Sequence, residues 1–207
     1  MLIFEIVGTE NHAAYQELTI ANLDRQYNLL RSLVIASMSV NRPLLSAEVL
    51  KSLNYHAITC LHGSAGQWRP CKVTVGDYVP PAFHQVPGLM HMFIDEVNRF
   101  WEQADAVYLA TWVLWRLNHI HPFVNGNGRT ARAVCYFVLC LKLGGWMDSD
   151  VLLPELLRAH RDEYVAALKH ADATFASGGL DLGPLHALVT RLLQESLRNG
   201  GDEAPVA

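Results

Sequence analysis

His121-Pro122-Phe123-Val124-Asn125-Gly126-Asn127-Gly128-Arg129-Thr130-Ala131-Arg132 is a polar, glycine-containing turn followed directly by a helical pattern. Gly126 and Gly128 lack Cβ atoms, so the backbone around Asn127 can bend sharply and approach a ligand closely. Residues Arg129 to Leu143 are helix-compatible, so the free N–H groups of that helix start point back into the turn. Unsatisfied donors and the positive end of the macrodipole attract anions there. Arg129 and Arg132 stand three apart and share one helix face. A guanidinium suits a di- or triphosphate because its planar fork bonds two oxygens at once. His121 is the one group in the stretch that accepts a proton near neutral pH. A phosphate cradle beside a base reads as phosphoryl or nucleotidyl transfer.

The flanking segments explain how such a loop is held. Ala104 to Asn118 is apolar nearly all round, with Val107, Leu109, Val113, Leu114, Trp115 and Leu117, and reads as a central buried helix. The helix after the loop is again apolar on most faces and stops at Gly144-Gly145. Two buried helices keep a polar loop rigid, as a preorganised site requires. Towards the N-terminus, Ala13 to Val40 shows a helical stripe of Leu18, Leu23, Tyr27, Leu30, Val34 and Met38, broken at Asn41-Arg42-Pro43. Ser46 opens another helix reaching about His62. From Gly63 to Pro81, Gly66, Pro70, Gly76, Pro80 and Pro81 punctuate β-compatible runs such as Cys71 to Val75, which predicts a short hairpin. Helices resume over Val86 to Trp101, Leu152 to His170 and Pro184 to Leu197, and Gly200 to Ala207 reads as a frayed tail. The expected fold class is mainly α with a short β-hairpin, one domain over residues 1–207 and its core over about 18–173.

Bulk properties narrow the function. With 207 residues, 51% of them hydrophobic, the chain is long enough for one well-buried domain. A net charge of −4 and a pI near 6.2 argue against nucleic-acid binding. Cys60, Cys71, Cys135 and Cys140 form no CxxC pair, sit mostly in apolar surroundings and read as buried free thiols in a reducing compartment. No basic n-region precedes the short apolar run at Met1 to Phe4, and no stretch nears ~20 apolar residues. The expectation is a soluble, cytoplasmic protein without membrane or nucleic-acid partners; later export by a dedicated secretion system leaves no mark of this kind. Gly126-x-Gly128-x-x-Ala131 also fits a dinucleotide fingerprint, but a long helix precedes it and no βαβ units follow, so that reading is rejected. His119 and His121 lack a third ligand for zinc.

The stretch resembles the Fic family signature, His-Pro-Phe-x-(Asp/Glu)-Gly-Asn-Gly-Arg-x-x-Arg, at every fixed position except Asn125, where the family carries an acid. A match this long is far more specific than a lone glycine motif. The resemblance implies a helical enzyme that transfers AMP from ATP to a Ser, Thr or Tyr hydroxyl of a target protein, using Mg2+. It implies His121 as general base, and Gly126, Asn127 and Gly128 as an amide nest for the α- and β-phosphates. Arg129 would hold the β-phosphate, Arg132 the γ-phosphate, and Asn125 would stand at the metal. An amide oxygen brings no charge, so metal affinity should fall there. Phe123 reads as a packing anchor.

Gly66-Gln67-Trp68-Arg69 through Tyr78-Val79-Pro80-Pro81 looks like the family's flap, whose segment Lys72, Val73, Thr74, Val75 and Gly76 would receive the target as an added strand. Tyr164 to Leu168 looks like a further family helix. The restraining pattern of many members, (Ser/Thr)-x-x-x-Glu-(Gly/Asn), has no match near either terminus. Either the chain is unrestrained or a separate antitoxin-like protein supplies that helix. Two other readings remain: a degenerate Fic fold that binds nucleotide or a partner without catalysis, and a member that transfers UMP, GMP or phosphate.

Overall fold

The computed structural model describes residues 2–42 and 45–199. Its centre is an antiparallel pair, α5 (Ala106–Ile120) and α6 (Asn127–Lys142), joined by the motif loop. From Ala133 to Cys140 every residue of α6 is buried, as an all-round apolar helix must be. Asp105 starts α5, its Oδ1 accepting from the amides of Val107 and Tyr108 at 2.9 Å each. Around this pair stand α2 (Ala13–Val40), α3 (Ala47–Ile58), α4 (Val86–Phe100), α7 (Leu153–Ala159), α8 (Arg161–Ala176) and α9 (Gly183–Asn199), while α1 (Ile3–Val7) lies against α2. The core runs through Leu30, Leu50, Leu53, Phe93, Trp115 and Phe137, none more than 1% exposed. Phe93 stacks on Trp112 with ring centroids 5.7 Å apart.

The mainly helical expectation holds, and the differences from it have physical causes. The buried line of α2 is Tyr15, Asn22, Gln26, Leu30, Val34 and Ser37, so Met38 lies outside it and is exposed. Asn22 and Gln26 are buried because each donates its amide to a carbonyl across the interface, Thr59 and Leu53 respectively, at 2.9 Å. Helix α3 ends at Ile58 rather than near His62, because Thr59 leaves the helical region at ψ 137° and Cys60 follows with a left-handed φ of 61°. The carbonyls of Cys60 and Leu61 then accept from the amides of Ile3 and Phe4, which is why α1, unforeseen from sequence, docks there. Residues 152–170 form two helices, broken at His160 (ψ 41°) with neither Gly nor Pro to announce it.

The predicted hairpin is a correction. Residues 71–80 contain no strand, only a single antiparallel bridge in which Val75 and Tyr78 exchange N–H···O bonds of 3.0 Å around Gly76-Asp77. Pro80 and Pro81 carry no N–H to extend a ladder. No described helix is long and apolar enough to cross a membrane. Cys135 and Cys140 are buried, whereas Cys60 and Cys71 are exposed, and all four are free thiols. The expected tail from Gly200 lies outside the described residues.

Candidate active site

His121 is the C-cap of α5 and takes a left-handed φ of 51°, with its amide donating to Leu117 O at 3.0 Å. Its Nδ1 faces the Asn118 carbonyl at 3.4 Å. A proton on Nδ1 satisfies that carbonyl and leaves the lone pair on Nε2. Burial pushes the imidazole pKa down to about 4, the Arg69 cation pushes the same way, and only the contact with the Asn118 carbonyl opposes them. His121 is therefore neutral at physiological pH, the form a general base requires.

The loop after it is held by its own side chains. Asn127, 4% exposed, accepts from the Phe123 amide at 2.9 Å and donates to the Phe123 carbonyl at 2.8 Å, a reciprocal clip across the turn. Phe123 is fully buried against Trp68, ring centroids 5.0 Å apart, in line with the packing role read for it. Gly126 takes φ 75°, and a Cβ there would lie 2.6 Å from Ile58 Cγ2. Its missing side chain makes room for α3 rather than for a ligand. Asn54 of α3, fully buried, donates to Asn125 O at 2.9 Å and accepts from the Gly66 amide at 3.0 Å, tying the loop to the root of the flap. The first intrahelical bond of α6 runs from Thr130 N to Gly126 O at 2.9 Å, so the amides before it lack partners within the helix.

Two cavities flank α6. The larger, about 400 Å3, is bordered by His121, Gly128 and Arg132, by Val75 and Tyr78 of the flap, and by Arg158 and Arg161. The smaller, about 260 Å3, is bordered by Arg129, Arg132, Arg158, Glu10, Tyr15 and Tyr27. Arg132 thus stands between them, folded back so that a Cβ on Gly128 would meet its Nη1 at 3.3 Å. Arg158, invisible as a site residue in sequence, borders both. Of the flap residues named from sequence, Val75 reaches the larger cavity; Lys72, Thr74 and Gly76 are exposed and Val73 is half-buried.

Arg129, at the border of the smaller cavity, and Asn125 both bond to the protein itself. Arg129 donates through Nη1 to Ala57 O at 2.9 Å and through Nη2 to Asn125 Oδ1 at 3.1 Å. The same Oδ1 accepts from the Gly126 amide at 2.6 Å, which fixes the carboxamide's orientation. Its Nδ2 therefore faces Glu10 Oε1 at 3.2 Å and His62 Nε2 at 3.0 Å. Asn125 held in this way does not suit magnesium: its side-chain oxygen is neutral, already accepts two hydrogen bonds, and sits against a guanidinium. Among the described residues, no three His, Cys, Asp or Glu side chains group to hold an ion. Glu10 is a residue that the sequence pattern missed. Glu10-Asn11 carries the last two positions of the restraining pattern, but Ile6 stands where Ser or Thr is expected.

Residues 44–139 match the model of the Fic/DOC family. The protein adenylyltransferase Fic of Drosophila willistoni is 40% identical over 108 residues, covering 52% of this chain and 20% of that protein. The namesake in Drosophila grimshawi is 37% identical over 110 residues, covering 52% and 21%. The chain thus spans about a fifth of the length of these curated relatives. Among solved structures, a Fic-domain signalling protein of Bacteroides thetaiotaomicron superposes with a TM-score of 0.68 at 18% identity, covering 99% of this chain and 81% of that one. Fic-1 of C. elegans gives 0.71 at 21%, covering 92% and 52%. At these identities the superpositions show a shared fold.

Proposed function

We propose that this chain, which carries a Fic/DOC domain over residues 44–139, transfers AMP from ATP to a Ser, Thr or Tyr hydroxyl of a target protein. The observation that carries this reading is the neutral, half-buried imidazole of His121 opening on the same cavity as Arg132 and the start of α6. The α- and β-phosphates would lie over the first amides of α6, where donors and macrodipole favour anions. Arg132 and Arg158 reach the outer phosphates from between the two cavities. Arg129, held by Ala57 and Asn125, keeps the loop in shape beneath them.

The target hydroxyl approaches past Val75 and Tyr78. Its oxygen bonds to the α-phosphorus, its proton passes to His121 Nε2, and the bond between the α-phosphorus and the bridging oxygen breaks to release pyrophosphate. No step is assigned to a metal, because the residues around Asn125 do not form a site for one. Label transfer onto proteins of a lysate, from ATP labelled at the α- or the γ-phosphate, tests the reading. Label from the α position alone supports it; label from γ alone makes the chain a phosphotransferase. No label from either points to another nucleotide donor or to the degenerate-fold reading, for which the neutral Asn125 is the motivating observation.

The His121 environment sets the pH dependence. A pKa lowered to about 4 means the base form is full above roughly pH 5, so kcat/KM should stay flat from pH 6 to 8 on its acidic side. A rising limb centred near 6.5 in the rate profile would show instead an ordinary, solvated imidazole.

Glu10 bears on the same site. Its carboxylate borders the smaller cavity beside Arg129 and Arg132, where it opposes an incoming phosphate. Removing one charge at contact distance in a solvated setting is worth about 1 kcal/mol, or roughly a fivefold change. Glu10→Gln should tighten ATP binding in calorimetry by that factor; an unchanged or weaker affinity would remove Glu10 from the account.

A further inference from the structure

Arg69 is 2% exposed, and none of the ion pairs among the described residues involves it. A buried cation without a carboxylate persists only if its donors are satisfied in another way. Here the acceptors are backbone carbonyls from three places. Nε donates to His121 O at 2.8 Å, Nη1 to Cys71 O at 3.2 Å, and Nη2 to Pro81 O. The Arg69 amide adds a bond to Pro122 O at 2.8 Å. Cys71 and Pro81 are the two arms of the flap, on either side of the Val75–Tyr78 bridge. That bridge alone does not make a stable hairpin.

The bond to His121 has a local logic. A non-glycine residue with a left-handed φ carries a backbone strain of order 1 kcal/mol. That conformation ends α5 and turns the His121 carbonyl out of the helix, where Arg69 Nε meets it. Resting on the transfer reaction above, we propose that Arg69 is a positioning residue that locks the flap and the His121 backbone into one unit, so that a hydroxyl carried on the flap arrives at the imidazole. Arginine suits this task and lysine does not, because a fixed planar fork can address three carbonyls at set angles. Its charge also adds to the field at His121, whose cavity is bordered by Arg132, Arg158, Arg161, Lys169, Asp172 and Tyr78.

The test compares the full chain with Arg69→Met and Arg69→Lys by hydrogen exchange, by NMR titration of the His121 imidazole, and by transfer of α-labelled AMP in a lysate. Arg69→Met should speed exchange at residues 71–81 and 121–126 together by about tenfold or more, since each lost bond is charge-assisted. It should also move the His121 midpoint upward. Arg69→Lys should leave that midpoint low, because the charge remains, while both segments exchange faster. Should Arg69→Met fail to fold, Arg69→Lys still decides the exchange prediction.

Faster exchange in the flap with 121–126 unchanged would overturn the proposal, as would a His121 midpoint identical in Arg69→Met and the unaltered chain. Both variants should lose transfer about tenfold while retaining ATP binding; transfer at the unaltered rate would also overturn it. An unaltered chain that transfers no label defeats the AMP-transfer reading instead, and the exchange and titration results still stand or fall by themselves.

Discussion

His121→Ala should lower transfer of α-labelled AMP by roughly 10²–10⁴-fold, the range a positioned general base contributes, while ATP affinity stays within about twofold. The split follows from position. The imidazole borders the larger cavity at the flap side, whereas the phosphates are assigned to the start of α6 and to Arg132. Alanine also meets the left-handed backbone at this position, φ 51°, so part of any loss could come from a shifted loop. His121→Asn is the companion variant, because asparagine tolerates that conformation while offering no base. Equal losses in both variants assign the effect to the missing base. Retained transfer in His121→Asn would mean that the reaction needs no base at this position.

Gly126→Ala should be the most destabilising single change in the motif. It places a Cβ on a left-handed backbone of φ 75° and drives it to 2.6 Å from Ile58 Cγ2 and 3.1 Å from Asn54 Nδ2. Left-handed strain contributes about 1–2 kcal/mol and overpacking about 1–3 kcal/mol, so roughly 2–5 kcal/mol is expected. For a chain of this size that corresponds to a fall in Tm of about 5–15 °C. Gly128→Ala is the control. Its φ is not left-handed, and its closest neighbour is the mobile end of Arg132 at 3.3 Å, so its Tm should barely move. Similar melting of the two variants would refute the packing of Gly126 on α3.

Much of this arrangement was legible in the chain because it depends on short-range order. The periodicity of α2, α4, α5 and α6 and the punctuation at Gly144-Gly145 needed no partner to be read. The motif likewise names an imidazole, two glycines and two arginines. Where long-range contacts compete with local signals, the reading fails. The β-compatible run from Cys71 to Val75 forms no strand, because Pro80 brings no N–H to the position opposite Val73, and the carbonyls of Cys71 and Pro81 accept from Arg69 instead. The restraining pattern has no full match, yet Glu10 reaches the motif loop through Asn125 and His62, 115 and 52 positions along the chain.

The sequence by itself determined the helical class, the loop between two buried helices, and the identity of the imidazole and guanidinium groups that face it, all consequences of local pattern and side-chain chemistry. Only the tertiary structure decided which way those groups point. It turned Arg129 onto Ala57, packed Gly126 against Ile58, and placed Asn125 on Glu10 and His62 instead of in a metal site. It also brought Arg69 and Asn54 under the loop. A donor's direction and an acceptor's occupancy depend on segments dozens of residues apart meeting in space, and no local spacing encodes that meeting.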